Sequence, residues 1–377
     1  ARLSFLPFIT KIIKFFPRKN LMIIACMFGA FCTLALTFIL ISNSTSFNIY
    51  LLLVVQGLAA TADAIMIISF SSLIPILVES AQELKKANGL FASTDNLILT
   101  ISPFLGSWLS GLVGIKGILL CDCFSFFLAI TCISLAPFSS KLVSKINLLK
   151  QANQKNIFSL YALFKKMWNK SNSFYFVFVL TITISYSYAS TEILFPAWIA
   201  TAYGTSRMGN TLVIAIVGYL LGFTCWNFIS VHSLKKNLFI SITIQALILM
   251  GSGLSFFENK INIWMLAVFS FSLLLPIVTS SLQHFWSNLT PKHYLTDIFA
   301  IRYTLEWSSR ILSFLLVSLL VNNFIEPLLF HPNLPIWMRI TLGNESGREI
   351  AVSLGLTGWL LIVGMIVSRR RRCSLKI

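Results

Sequence analysis

Acid is what this chain has least of. Asp and Glu supply 12 of 377 residues against 29 Lys and Arg, and charged residues make up 11% in all. Soluble domains carry roughly a quarter of their residues charged, so a water-bathed globule is excluded. An integral membrane enzyme would need clustered His or Asp at the interface, and the sequence shows none. His232, His284, His293 and His331 stand apart and form no H-x-x-x-H pair. No G-x-x-x-x-G-K-[ST] loop is present to cradle ATP, and no G-x-S-x-G elbow to seat a nucleophile. Of seven cysteines, six (Cys26, Cys32, Cys121, Cys123, Cys132, Cys225) lie in apolar runs and Cys373 lies in a basic tail. That pattern implies no disulfide framework, and Cys121-x-Cys123 lacks the second pair a zinc site needs. No catalytic residues, metal ligands or cofactor are expected, and the chain is not read as an enzyme. The net charge of +17 does not imply nucleic acid, because no soluble module interleaves basic and exposed aromatic residues.

What fills the chain instead is apolar: 56% of residues are hydrophobic, and 33 are Phe. A bilayer core takes about 20 apolar residues per helix. Ten runs reach that length, at about 20–42, 48–71, 89–112, 117–137, 174–199, 210–230, 238–256, 263–285, 303–322 and 351–368. Residues 1–10 read as the end of another. The connections alternate in charge. Those at 11–19, 72–88, 138–173, 231–237, 286–302 and 369–377 hold 22 Lys and Arg; those at 43–47, 113–116, 200–209, 257–262 and 323–350 hold 5. Basic loops stay inside, which predicts a cytoplasmic C-terminus and sets the positive charge against the anionic inner leaflet. With both termini inside, parity predicts twelve spans in an intact protein. On that count this sequence lacks the first helix and the outer half of the second, and 20–42 is span three.

The organisation predicted is an incomplete N-terminal helix bundle (1–137), a basic cytoplasmic linker (138–173), a six-helix C-terminal bundle (174–368) and a basic tail (369–377). Within the linker, FSLYALFKKMW (158–168) spaces Phe158, Tyr161, Phe164 and Trp168 for a helix lying in the inner interface; a flexible linker is the alternative. Two helical halves joined this way suit alternating access, with cargo held between them near mid-membrane.

Charges inside spans are costly unless paired or wet, so each is a candidate for function. Asp63 and Asp95 fall in spans four and five and are candidates for cargo or proton coupling. Glu192 stands one turn before Pro196 in span seven. Glu306 and Arg310 are spaced i, i+4, which favours an ion pair; Arg310 is alternatively free to meet an anionic group on cargo. Trp198, Trp264 and Trp286 sit near span ends and read as an interfacial belt. Tyr186, Tyr188, Phe195 and Trp226 either line an apolar cavity or face lipid.

Several stretches carry a resemblance. IPILV (74–78) and LKKANGL (84–90) match I-P-x-L-V and L-x-x-A-N-G-L. CDCFSFF (121–127) matches D-A-x-S-F, TPKHYLTDIFAIR (290–302) matches P-x-x-x-x-G-R-V-F-A-x-R, and FIEPLL (324–329) matches F-x-x-P-L-L. In this order they resemble the major facilitator superfamily, and within it drug and secondary-metabolite exporters of the macrolide-efflux and enterobactin-exporter type. The resemblance implies an all-α polytopic membrane protein of two six-helix bundles, with span seven lining the cavity and Asp122 as a helix anchor. TISPFLGSW (100–108) occupies the place of the family's antiporter element G-P-x-x-G-G. Pro103 and Gly106 stand, while Ser102 and Ser107 replace glycines. That element implies close helix packing and export. At the cytoplasmic gate, TKIIKFFPRK (10–19) keeps Arg18 and Lys19 of G-x-x-x-D-R-x-x-R-[RK] but has Lys14 in place of the acid. Asp297 falls beside Thr296 where the family has Gly-Arg, followed by Arg302. Two readings follow, a reversed latch between Lys14 and Asp297, or a lost gate.

The function expected is proton-coupled efflux of an amphipathic small molecule by alternating access, in a bacterial inner membrane, by a monomer. Its partners are the lipid bilayer, the cargo and protons, with no nucleic acid. The alternative is a truncated or degenerate relative that does not transport.

Overall fold

The computed structural model describes residues 12–13, 16–41, 49–78, 80–136, 172–254, 261–329, 335, 341 and 347–369. The partial span at 1–10, Lys14, the interfacial stretch 158–168, most of the linker and the tail beyond Arg369 lie outside the described residues, as do the side chains of Pro103, Ser107 and His293. Long helices occur at α1 (Arg18–Ile41), α2 (Ile49–Leu77), α3 (Ala81–Leu135), α4 (Asn172–Tyr203), α5 (Thr205–Phe228), α6 (Leu234–Ser252), α7 (Ile261–Leu289), α8 (Leu295–Leu320) and α9 (Arg348–Arg369). No strand is found among the described residues. Nine described stretches are long and apolar enough to cross a membrane.

Each of the ten apolar runs falls on a helix. Two of them share α3, whose 55 residues would reach about 80 Å if straight, far beyond a bilayer core of about 30 Å. The break falls at Gly114, at φ 66° and ψ 175°, a conformation that a Cβ disfavours. The connection expected at 113–116 is this single glycine. α8 continues through a π turn (Val321–Ile325) into a last helical turn, Glu326–Leu329, where the FIEPLL element lies.

The chain divides into two compact units. The first comprises residues 1–80, 102–164 and 290–304. Within it α1 packs on α2. Gly29 of α1 admits the Phe126 ring of α3, which an added Cβ would meet at 2.7 Å. Thr33 Oγ1 donates to Asp122 Oδ2 at 3.0 Å, tying α1 to α3. Lys19 Nζ donates to the carbonyls of Ser134 (2.8 Å) and Ala136 (3.0 Å) at the end of α3, where a helix leaves acceptors unused and its dipole favours a cation.

The second unit comprises residues 81–101, 165–289 and 305–377. Here α5 packs on α7, and α9 packs on α4 and α6. Small residues set these approaches, as lipid-embedded helices require. A Cβ on Gly222 would collide with the Leu273 carbonyl, and one on Gly358 would lie 2.6 Å from the Ala246 carbonyl. Tyr188 donates to Gln245 Oε1 at 2.8 Å, and Gln245 Nε2 donates to the Phe271 carbonyl at 3.1 Å, bridging α4, α6 and α7.

The tryptophan belt needs correcting. Trp198, Trp264 and Trp286 are buried in protein. Trp286 Nε1 donates to Thr181 Oγ1 at 2.9 Å, and the Trp198 and Trp264 rings meet edge to face at 4.7 Å. An indole near a span end has the same sequence signature whether its N–H finds a headgroup or a neighbouring helix.

Candidate functional site

α4 and α8 carry the strongest charge arrangement. Arg310 Nη2 lies 2.9 Å from Glu192 Oε1, and Nη1 lies 3.3 Å from Oε2, a two-pronged pair of the kind a planar guanidinium forms with a carboxylate. Glu306 was the partner suggested by the i, i+4 spacing; the carboxylate gripped by both nitrogens belongs to another helix. Glu192 keeps 41% of its side chain accessible and Arg310 28%, so the pair is not sealed in packing. Beside it Ser190 Oγ and Ser313 Oγ stand 2.7 Å apart, a second polar tie between the same helices.

Asp63 stands at the middle of α2 and is exposed; Asp95 is half-buried on α3. Tyr219 of α5 donates to the Ser93 carbonyl at 2.7 Å, two residues from Asp95. In the stretch that resembles the antiporter element, Ser102 is exposed and no described residue lies within 4 Å of a Cβ built on Gly106. The helix stays regular through Pro103, its departure coming at Gly114.

Of the residues expected at the gate, Arg18 takes one backbone and one side-chain acceptor. Arg18 Nη1 donates to the Ser72 carbonyl at 3.0 Å, and Nη2 donates to Thr296 Oγ1 at 3.2 Å. Thr296 is one of the two substitutions in the connection before span eleven, and its hydroxyl serves as the acceptor. Asp297 is buried at the start of α8. Arg302 is buried with its guanidinium 5.2 Å from the Tyr303 ring and 5.7 Å from Phe299.

Sequence reasoning passed over the most complete constellation, built on LKKANGL. Lys85, Asn88, Gly89, Ala92 and Ser93 are all buried. They recur at i, i+3, i+4, i+7 and i+8, the spacing of one helix face. Lys85 Nζ donates to the carbonyls of Trp226 (2.9 Å), Asn227 (3.4 Å) and Ile229 at the end of α5, and sits 5.0 Å from the Trp226 ring centroid. Burial and the neighbouring Lys86 charge pull its pKa below the usual lysine value. Gly89 lies against Trp226, where any side chain would collide. Asn88 Oδ1 accepts from Ser287 Oγ (3.1 Å) and Gln283 Nε2 (3.4 Å) of α7. The signal was present as a buried-face stripe of small and polar residues inside the motif.

These helices share their fold with solved transporters. The human organic anion transporter MFSD10 (TETRAN) superposes with a TM-score of 0.66 at 11% identity, over 98% of this chain and 81% of that one. A bacterial homologue of the iron transporter ferroportin, in an outward-facing state, gives 0.65 at 12%, over 97% and 86%. The Escherichia coli fucose:proton symporter FucP gives 0.62 at 13%, over 96% and 86%. No curated protein matches the chain in sequence. The profile of the Major Facilitator Superfamily matches residues 1–314, and the chain belongs to that family. It is an all-α, multi-pass integral membrane protein and a transporter, not an enzyme.

Proposed function

We propose that this transporter is a proton-coupled exporter of an amphipathic small molecule, of the macrolide-efflux and enterobactin-exporter type, working by alternating access in a bacterial inner membrane. The observation that carries the reading is the accessible Glu192–Arg310 pair inside two spans. A proton on Glu192 cancels the pair, and the permanent Arg310 charge is then left to seek another anion or water. Proton and cargo thus compete for one pair. Asp63, exposed in mid-span, supports a wet path, because lipid would make an accessible carboxylate there costly. Export rests on the resemblance of ISPFLGS to the antiporter element.

At the cytoplasmic gate the reading assigns latch duty to Arg18, with Thr296 as its partner, and to Lys85 on the end of α5. Both join residues from opposite halves of the sequence, and both would have to break for the inner side to open.

The test uses inverted vesicles and an apolar fluorescent dye. An imposed proton gradient should drive dye accumulation, and a protonophore should abolish it. Glu192→Gln should lose gradient-driven accumulation while still exchanging dye across the membrane. Accumulation indifferent to the protonophore would sink the coupling.

A further inference from the structure

A cleft of about 570 Å³ opens where α4 and α6 begin and α9 ends, lined by Phe176, His232, Lys235, Lys236, Phe239 and Arg369. Three of these six residues carry a full positive charge, a fourth is histidine, and none is acidic. The helix ends sharpen the imbalance. The first turns of α4 and α6 contain no acid, although helix N-termini favour negative charge and disfavour cations. Lys235 and Lys236 nonetheless occupy the first turn of α6.

The cations are placed over aromatic rings. The Arg369 guanidinium lies 4.0 Å from the Phe239 ring centroid, and Lys235 Nζ lies 5.8 Å from that of Phe176. A ring beneath a cation takes one face and leaves the N–H groups directed sideways. That arrangement suits an oxyanion with several acceptor oxygens, gripped by the arginine fork and the lysine ammonium together.

We infer that this cleft binds a phosphate-bearing anion. Its cations gather at helix ends, the depth at which phospholipid headgroups lie, and basic pockets between helix ends are where anionic headgroups are held. A lipid headgroup and free phosphate share this chemistry. The inference is independent of cargo and of proton coupling, so failure of either reading leaves it standing.

The test takes the full chain in detergent and follows its thermal midpoint and native mass spectrum with phosphatidylglycerol, phosphatidylcholine and inorganic phosphate. Phosphatidylglycerol should stay bound and raise the midpoint, as a ligand of the folded state does, and phosphatidylcholine should not. The double variant Lys235→Gln with Arg369→Gln should weaken phosphatidylglycerol binding on the order of 20-fold, at about fivefold per charge. The lipid-free midpoint reports whether that variant folds; if it does not, Lys236→Gln, at an exposed position, tests the same cleft by the loss of one charge, with about fivefold weaker binding expected. Displacement of the lipid by millimolar phosphate assigns the site to free anions, and resistance to displacement assigns it to headgroups. Equal retention of the two lipids, or undiminished phosphatidylglycerol binding in a folded variant, overturns the inference.

Discussion

Lys85 shows how a scarcity of acid is met at single positions. Its ammonium has carbonyls where a richer chain would offer a carboxylate. Removing the amine strands those carbonyls, and bonds from a charged donor contribute about 1.5–3 kcal/mol each. Lys85→Met should therefore lower the thermal midpoint in detergent by about 2–4 °C or more. Lys85→Arg should recover part of the loss, and an unchanged midpoint for the methionine variant would show that the contact carries no stability. The position was legible as part of a motif, but its role was not. A lysine beside a span reads first as a cytoplasmic charge, and sequence does not reveal that its counter-charge is the end of another helix. Glu192 and Arg310 were each picked out because charge in a span is expensive. Their pairing was missed because spacing reports neighbours along one helix and says nothing of partners 118 residues away.

At the scale of elements, the apolar runs gave nearly every helix, since length and hydropathy alone decide what can cross a bilayer. Glycine was harder to read. Gly106 sits in an element expected to pack closely, yet no described residue comes within 4 Å of a Cβ built there; Gly222 sits in an unremarked run, yet touches the α7 backbone. Sequence shows that a residue is small but not what stands opposite. Gly222→Ala should lower the thermal midpoint measurably, overpacking costing typically about 1–3 kcal/mol. Gly106→Ala should leave it within about 1 °C, at roughly the 0.5–1 kcal/mol that alanine gains over glycine within a helix. If Gly106→Ala is neutral for stability but damaging to transport, the element acts in a state other than the one seen here.

For the molecule as a whole, the imbalance of 22 to 5 basic residues between alternating loops predicts sidedness. In a variant whose only thiol is Cys373, an impermeant maleimide should label permeabilised cells and spare intact ones. With Arg207→Cys as the only thiol, intact cells should be labelled. The reverse pattern would invert the protein and move Arg18 and Lys85 to the outer face. The same imbalance runs through the interior, where Lys19, Lys85, Arg18 and Arg348 all reach backbone oxygen. A carbonyl is supplied by every residue type, so no replacement of a side chain deletes it. This has a genetic consequence. An ion-pair latch broken on one side can be repaired by reversing charge on the other, but a latch on a helix end has no such complement. Suppressors of a Lys85 defect should not appear as new acids on α5; they should reshape the turn at 229–233 or re-donate a hydrogen bond from α3 itself.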